Sequence, residues 1–316
     1  MTVLFGVQGS GQHVGEGPDP GTLRRIAAEA ESAGFDSLWA SDHLSFVNPI
    51  HEPFVALATF AATTERILLG TGVLLLPLRQ PALVAKAAAS LDVLSGGRLL
   101  LGVGVGGEGE KDFEAAGVPR SERGPRTDEA MEVLRALWRG GPVTHRGRFY
   151  AFAGVEIAPV PAGPGGPPLL VGGRSAGALR RAGRLGDGWL AYMASPERFA
   201  RDMAEVRRAA EEAGRDPAGL LPALVLPAHV DDDGRRAAER MRAHLSTRYA
   251  QPVEARVVER YTLAGTPEQA VARLQEYAAA GVRHVLLNPA GPPGALLEET
   301  RRLAADVVDP TRRSLT

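Results

Sequence analysis

The 316-residue chain carries 36 basic and 37 acidic residues, and its net charge of -1 supplies no field for nucleic acid or an anionic membrane surface. It has no cysteine, which excludes disulfides, thiolate metal sites and cysteine nucleophiles. No apolar run is long enough to span a bilayer, and no charged segment followed by an apolar one opens the chain, so a cytoplasmic protein is expected.

A chain of this length buries roughly three quarters of its unfolded surface, enough for one large core without staples. Val3 to Val7 reads as a first strand, and Leu23, Ile26, Ala27, Ala30 and Ala33 then share one helical face that Gly34 closes. The next strand, Asp36 to Ala40, runs into Ser41-Asp42-His43. A helix over 54–62, a strand over 67–73, a helical stripe from Leu83 to Leu94 and a strand over 99–105 follow. A helix over 122–138 comes next, and the proline- and glycine-rich stretch 149–168 reads as short hairpins outside the repeating unit. Strands over 169–171, 188–192, 220–230 and 285–287 alternate with stripes through 177–185, 199–213, 271–278 and 296–307, with a further helical segment over 231–251. Eight strand–helix units fit an α/β fold of the closed (β/α)8 barrel type, with insertions after strands 4 and 7, better than an open sheet. No linker or low-complexity block divides residues 1–316, so one domain is expected.

Four stretches could carry chemistry. His43 follows Asp42 at the C-terminal end of the second strand, where barrels keep their active sites, and histidine is the commonest acid–base side chain. Adjacent residues there point to opposite sides, so one can line a pocket while the other orients a loop. Gly70 and Gly72 interrupt an apolar strand, either because a ligand approaches the backbone or because only glycine packs there. Gly102, Gly104, Gly106 and Gly107 follow the fourth strand with incomplete dinucleotide spacing, and Glu108, Glu110 and Asp112 come next, as ligand-facing carboxylates or as solvated loop charges. The run from Gly172 and Gly173 through Arg174, Ser175 and Ala176 to Gly177 leads a strand into a helix, whose free amides favour an anion; a tight structural turn is the alternative. The histidines show no metal spacing, and no G-x-S-x-G elbow is present.

Together, Gly34-Phe35-Asp36-Ser37-Leu38-Trp39, Ser41-Asp42-His43, 64–73, Leu94-Ser95-Gly96-Gly97-Arg98, Glu122-Arg123-Gly124-Pro125-Arg126, Gly186-Asp187-Gly188-Trp189 and Gly265-Thr266-Pro267-Glu268 resemble the luciferase-like monooxygenase superfamily of flavin and deazaflavin barrels. The resemblance implies a bulge after the third strand, often with a non-prolyl cis peptide, with Gly72 and Val73 behind the cofactor ring. It implies a cofactor-phosphate loop at Gly172, Gly173, Arg174, Ser175, Ala176 and Gly177, and further cofactor contacts at Gly104, Gly106 and Gly107. The Asp42-His43 pair resembles the branch that uses coenzyme F420, a deazaflavin. That branch implies hydride transfer with a small organic substrate, Asp42 and His43 beside the ring, His43 moving the coupled proton, and a catalytic carboxylate after the fourth strand, for which Glu110 is the candidate. Sugar-phosphate-oxidising members carry tryptophan four residues after this histidine; Val47 stands there, which argues against that substrate. An FMN-dependent monooxygenase is the competing reading, and a non-catalytic flavin-binding barrel is another. A homodimer without nucleic-acid or membrane partners is expected.

Overall fold

The computed structural model describes residues 2–10, 20–46, 49–107, 109–291 and 294–315. Eight parallel strands close into a barrel: β1 (Leu4–Ser10), β2 (Ser37–Ala40), β3 (Leu68–Thr71), β4 (Leu99–Gly104), β5 (Leu169–Gly172), β6 (Gly188–Tyr192), β7 (Leu221–Val230) and β8 (His284–Pro289). Each pairs with its sequence neighbours, and the β1–β8 ladder, with Leu4 opposite His284, completes the ring. Around it lie α1 (Pro20–Ser32), α2 (Pro53–Ala61), α3 (Pro81–Leu94), α4 (Glu110–Ala116), α5 (Arg123–Trp138), α6 (Ala176–Leu185), α7 (Pro196–Glu212), α8 (Gly234–Arg248), α9 (Ala255–Tyr261), α10 (Pro267–Ala279), α11 (Leu296–Leu303) and α12 (Asp309–Leu315).

The strands obey a period of two. Trp39, Leu100, Leu170, Leu190, Ala223 and Leu286 form a cluster inside the barrel, while their neighbours Leu38, Leu99, Leu101, Leu169 and Leu287 join the core beneath the helices. Trp39 fills so much of the interior that flanking strands must give up side chains. A Cβ on Gly70 would stand 2.3 Å from its ring, and one on Gly6 would stand 2.7 Å from its Nε1. Gly70 is therefore a packing glycine.

The boundaries differ from the expected ones where the chain turns. The third strand stops at Thr71, the Gly72–Val73 peptide is cis, and Leu74–Leu75 resumes pairing alongside β4. The chain between β4 and β5 carries α4, α5 and a hairpin of Val143–Arg146 with Ala151–Val155; that between β7 and β8 carries α8, α9, a short strand Leu263–Gly265 and α10. Helices α4 and α9 span 7 residues each, too few for an apolar stripe to announce them. The expected closing helix is interrupted by a π-helical segment, Ala304–Val308. Among the described residues, no helix is long and apolar enough to cross a membrane.

Inside the barrel, Trp39 Nε1 donates to Ser37 Oγ (2.7 Å), and Ser37 Oγ lies 2.7 Å from His284 Nε2. Indole can only donate, so the serine oxygen accepts from Trp39 and its own proton is free for a neutral imidazole. Burial pushes His284 down to about 4, with Asp36 opposing weakly. The unfolded chain takes up a proton near pH 6.5 that the folded protein refuses until about pH 4, so stability is complete above pH 6.5 and is lost as pH falls through that window. Between pH 7 and pH 5 this group should cost about 2 kcal/mol of unfolding free energy. Denaturant titrations of wild type and His284→Gln check this: the variant should show the smaller acid loss, and parallel losses would refute the assignment.

Candidate active site

At the C-terminal rim, the strand ends and the α8–α9 segment enclose a cavity of about 620 Å³. Its floor and walls include Gln8 on β1, Asp42 and His43 after β2, Gly72 and Val73 after β3, and Gly104 to Gly107 at the end of β4. Gly172 to Arg174 at the end of β5, Leu190, Tyr192 and Met193 on β6 and its end, and Val225 on β7 add to the strand side.

His43 is held from one side. Its Nδ1 lies 2.8 Å from Oδ2 of the buried Asp112, whose Oδ1 accepts the amides of Leu44 (3.0 Å) and Ser45 (2.7 Å). An ionised carboxylate only accepts, so Nδ1 carries the proton and Nε2 is left for the cleft that His43 lines. Phe46 stacks on the imidazole at 4.3 Å and 14°. The ring thus has a defined tautomer and a defined plane.

Asp42 is held through both of its carboxylate oxygens. Its Oδ2 accepts from Leu75 N (2.8 Å) and Arg79 Nε (3.3 Å), and its Oδ1 accepts from Arg79 Nη2 (2.8 Å). Burial opposes the Arg79 charge, but Asp42 and Glu52 outweigh it and raise the guanidinium above its ordinary value. Both Asp42 oxygens are committed, so the residue fixes the turn that presents His43. The sequence expectation gives Asp42 a catalytic role beside the ring, and the structure places it on the cleft with these contacts.

Glu110, the expected catalytic carboxylate, stands apart from the cleft. It sits exposed in the first turn of α4 and does not line the cleft, whereas Asp112 is buried. Two residues along a helix is more than half a turn, so when one carboxylate faces His43 the other faces water. Glu108 and Val47 lie outside the described residues.

The glycines divide by job. A Cβ on Gly104 would stand 2.5 Å from Val73 Cγ2, and one on Gly172 would stand 2.9 Å from Val73 Cγ1; these two make room for the Val73 side chain. Gly106 has φ +70°, a left-handed turn, and a Cβ on Gly107 would meet nothing within 4 Å. Arg120 Nη2 donates to the Gly107 carbonyl (2.9 Å).

After β5, Gly173 has φ +120° and its carbonyl accepts from Trp189 Nε1 (2.7 Å). Ser175 caps α6, accepting from Ala178 N (3.2 Å). Ser175 and Gly177 open into an adjoining cavity of about 500 Å³ with Arg120, Arg123 and Arg181 in its wall, and Ala176 is exposed beside them. Val105 lines both cavities, so the two are neighbours. Arg181 is committed to Asp128 and to the Gly124 carbonyl.

Sequence reasoning missed Phe46, Tyr192, Tyr249 and Arg248, which line or buttress the cleft; aromatic and basic residues on short rim segments carry no pattern to find them by. Among the described residues, no group of three or more His, Asp or Glu side chains could hold a metal ion.

A closed parallel barrel with a histidine–carboxylate pair beside a glycine-lined cleft places the molecule among α/β-barrel proteins with a C-terminal-face site. Residues 1–284 match the model of the luciferase-like monooxygenase family, and the chain belongs to it. An F420-dependent glucose-6-phosphate dehydrogenase of Nocardia farcinica is 33% identical over 301 residues, 86% of this chain and 89% of the relative. An uncharacterised protein of Mycobacterium tuberculosis is 38% identical over 210 residues, 60% of this chain and 72% of its own length. An F420-dependent secondary alcohol dehydrogenase, solved with an F420–acetone adduct, superposes with a TM-score of 0.83 at 22% identity, covering 97% of this chain and 99% of that one. A monooxygenase from Streptomyces bottropensis superposes with a TM-score of 0.84 at 24% identity, covering 97% and 99%. At these identities the solved structures speak for the fold.

Proposed function

We propose that the chain is an F420-dependent oxidoreductase in which His43 moves the proton that accompanies hydride transfer with a small organic substrate. The observation that carries this is the His43–Asp112 pair, 2.8 Å apart, on the rim beside the Gly72–Val73 turn. The residues present fit such a cofactor. The cleft has open backbone at Gly107, and the adjoining cavity combines the α6 N-terminus at Ser175 to Gly177 with Arg123, a setting for a phosphate. The names of several relatives support the same cofactor.

When bound, the deazaflavin supplies a ring carbon that takes or gives a hydride and reacts poorly with oxygen. The protein's part is positional and protic. Val73, seated against Gly104 and Gly172, would back the ring; Ser175, Gly177 and Arg123 would hold the phosphate; and Asp42 with Arg79 fixes the loop that carries His43. Asp112 keeps the proton on Nδ1, so Nε2 takes a proton from a substrate hydroxyl or returns it to a carbonyl oxygen. Residues 1–316 are read as one domain. A homodimer is supported by Val55, Leu83 and Leu94, large apolar side chains exposed on α2 and α3; sedimentation as a monomer alone would remove that part of the reading.

Titration of the purified protein with F420 and with FMN, followed by oxygen uptake with each reduced cofactor, tests the proposal. Tight F420 binding and substrate-dependent F420 reduction without oxygen uptake are expected. Tight FMN binding with substrate-dependent oxygen consumption, and no F420 binding, would make the protein a monooxygenase. Binding without any turnover in a broad substrate screen would make it a cofactor-binding barrel.

A further inference from the structure

We infer that Gln8, on β1, reads the cofactor ring: its side-chain carbonyl oxygen accepts the imide N–H at the pyrimidine end of the deazaflavin. This rests on the F420 reading above and goes beyond it by naming the edge of the ring that meets the cleft floor.

Strand alternation places Gln8 on that floor. Phe5 and Val7 join the core beneath the helices, so Gly6 and Gln8 face into the barrel. Gln8 stands opposite Trp39 in the β1–β2 ladder and lines the cleft beside Leu190 and Val225, which belong with Trp39 and Leu286 to the apolar interior. Its side chain is deeply shielded, with the residue only 3% exposed.

The amide has one orientation. Nε2 donates to the Ser10 carbonyl (2.6 Å) and to Ser41 Oγ (3.0 Å). A peptide carbonyl only accepts, so the nitrogen is the atom that faces Ser10, and both N–H groups are then used. Oε1 is in a different position. Among the described residues no donor of the chain reaches it. It lies beside Gly72, where a Cβ would stand 3.5 Å from it and would meet nothing nearer. Gly72 lines the cleft together with Val73, the residue proposed to back the ring. A shielded carbonyl oxygen held in place through its own amide nitrogen is a preformed acceptor for a ligand donor.

The surroundings define that donor. A cation there would need a carboxylate, and Asp42 is already bound to Arg79 and to the Leu75 amide. The donor is therefore neutral. A substrate hydroxyl belongs at Nε2 of His43, whereas the ring beside Gly72 carries one neutral N–H between the two carbonyls of its pyrimidine end. The hydroxyl at the opposite end of the deazaflavin is acidic, and once ionised it can only accept. Amide oxygen and imide N–H are each held rigidly, so the contact orients the ring at little entropic cost.

The test compares F420 with its N3-methyl derivative, which lacks the imide proton, by titration of wild type and Gln8→Met. Methylation should weaken binding to wild type at least tenfold and to Gln8→Met no more than threefold, and Gln8→Met should bind F420 itself at least fivefold more weakly than wild type. Because Gln8→Met also removes the donors to Ser10 and Ser41, a second measurement uses wild type alone. With F420 labelled with nitrogen-15 at N3, the bound imide proton should show nuclear Overhauser contacts to the Gln8 side chain. Equal methylation penalties in wild type and folded Gln8→Met, unchanged F420 affinity in that variant, or an imide proton with contacts elsewhere and none to Gln8 would each overturn the assignment while leaving the F420 reading in place. Failure of wild type to bind F420 would overturn both.

Discussion

Replacing His43 with alanine should lower F420-coupled turnover by roughly 10² to 10⁴ while F420 affinity stays within a few-fold. The expectation follows from geometry. The imidazole touches the cleft at one nitrogen and a buried carboxylate at the other, so its loss removes the proposed proton carrier without removing the walls proposed to seat the cofactor. Asp112 would keep the Leu44 and Ser45 amides on Oδ1, so the local turn has reason to survive. Asp112→Asn is the informative companion. An amide cannot accept from His43 Nδ1 and from two backbone amides with both of its heavy atoms, so the ring loses its fixed tautomer and turnover should fall at least tenfold. Melting temperatures separate the roles. A folded His43→Ala protein that binds F420 and turns over at near the parental rate would reject the proton-transfer assignment, and a variant that merely melts early would mark the histidine as structural.

The same pair shows where sequence reading stops. His43 was legible because it ends a buried strand, and a barrel's alternation and closure could be read from eight apolar runs. The orienting carboxylate was not, because Glu110 and Asp112 differ only by rotation on a 7-residue helix whose start has no apolar stripe to set its phase. Gly70 and Gly72 are a similar case. They sit two residues apart in one motif, yet Gly70 yields to the Trp39 ring inside the barrel while Gly72 lines the cleft at a cis peptide. Which of the two jobs a strand glycine has depends on what the neighbouring strand brings opposite it. The aromatic side of the cleft was invisible for a related reason: Tyr192 and Tyr249 meet across 57 residues of chain, with the β6 end on one side and the end of α8 on the other.

The proposed phosphate loop gives the second large effect, and the structure changes which substitution tests it. Gly173 has φ +120°, and a Cβ there would press to 2.9 Å on Ala178, so any residue placed at Gly173 strains the backbone before its charge is felt. Gly177 avoids this. It lies in the first turn of α6 without a left-handed φ, and its Cβ would have Ser175 Oγ at 3.9 Å as nearest neighbour. Gly177→Asp therefore introduces a carboxylate into the cavity that Arg123 shares, at little steric cost. An acidic residue in a first helical turn is itself favourable, so the helix should be no less stable. Against a bound phosphate the same charge is repulsive, and F420 affinity should fall at least tenfold, about 1.4 kcal/mol. Gly177→Ala fills the same space without charge and should bind F420 within a few-fold of wild type. Raising the salt concentration should narrow the gap between the two variants, since the effect is Coulombic at a partly open site. Equal F420 affinity for Gly177→Asp and Gly177→Ala, both folded, would move the cofactor phosphate away from the α6 N-terminus.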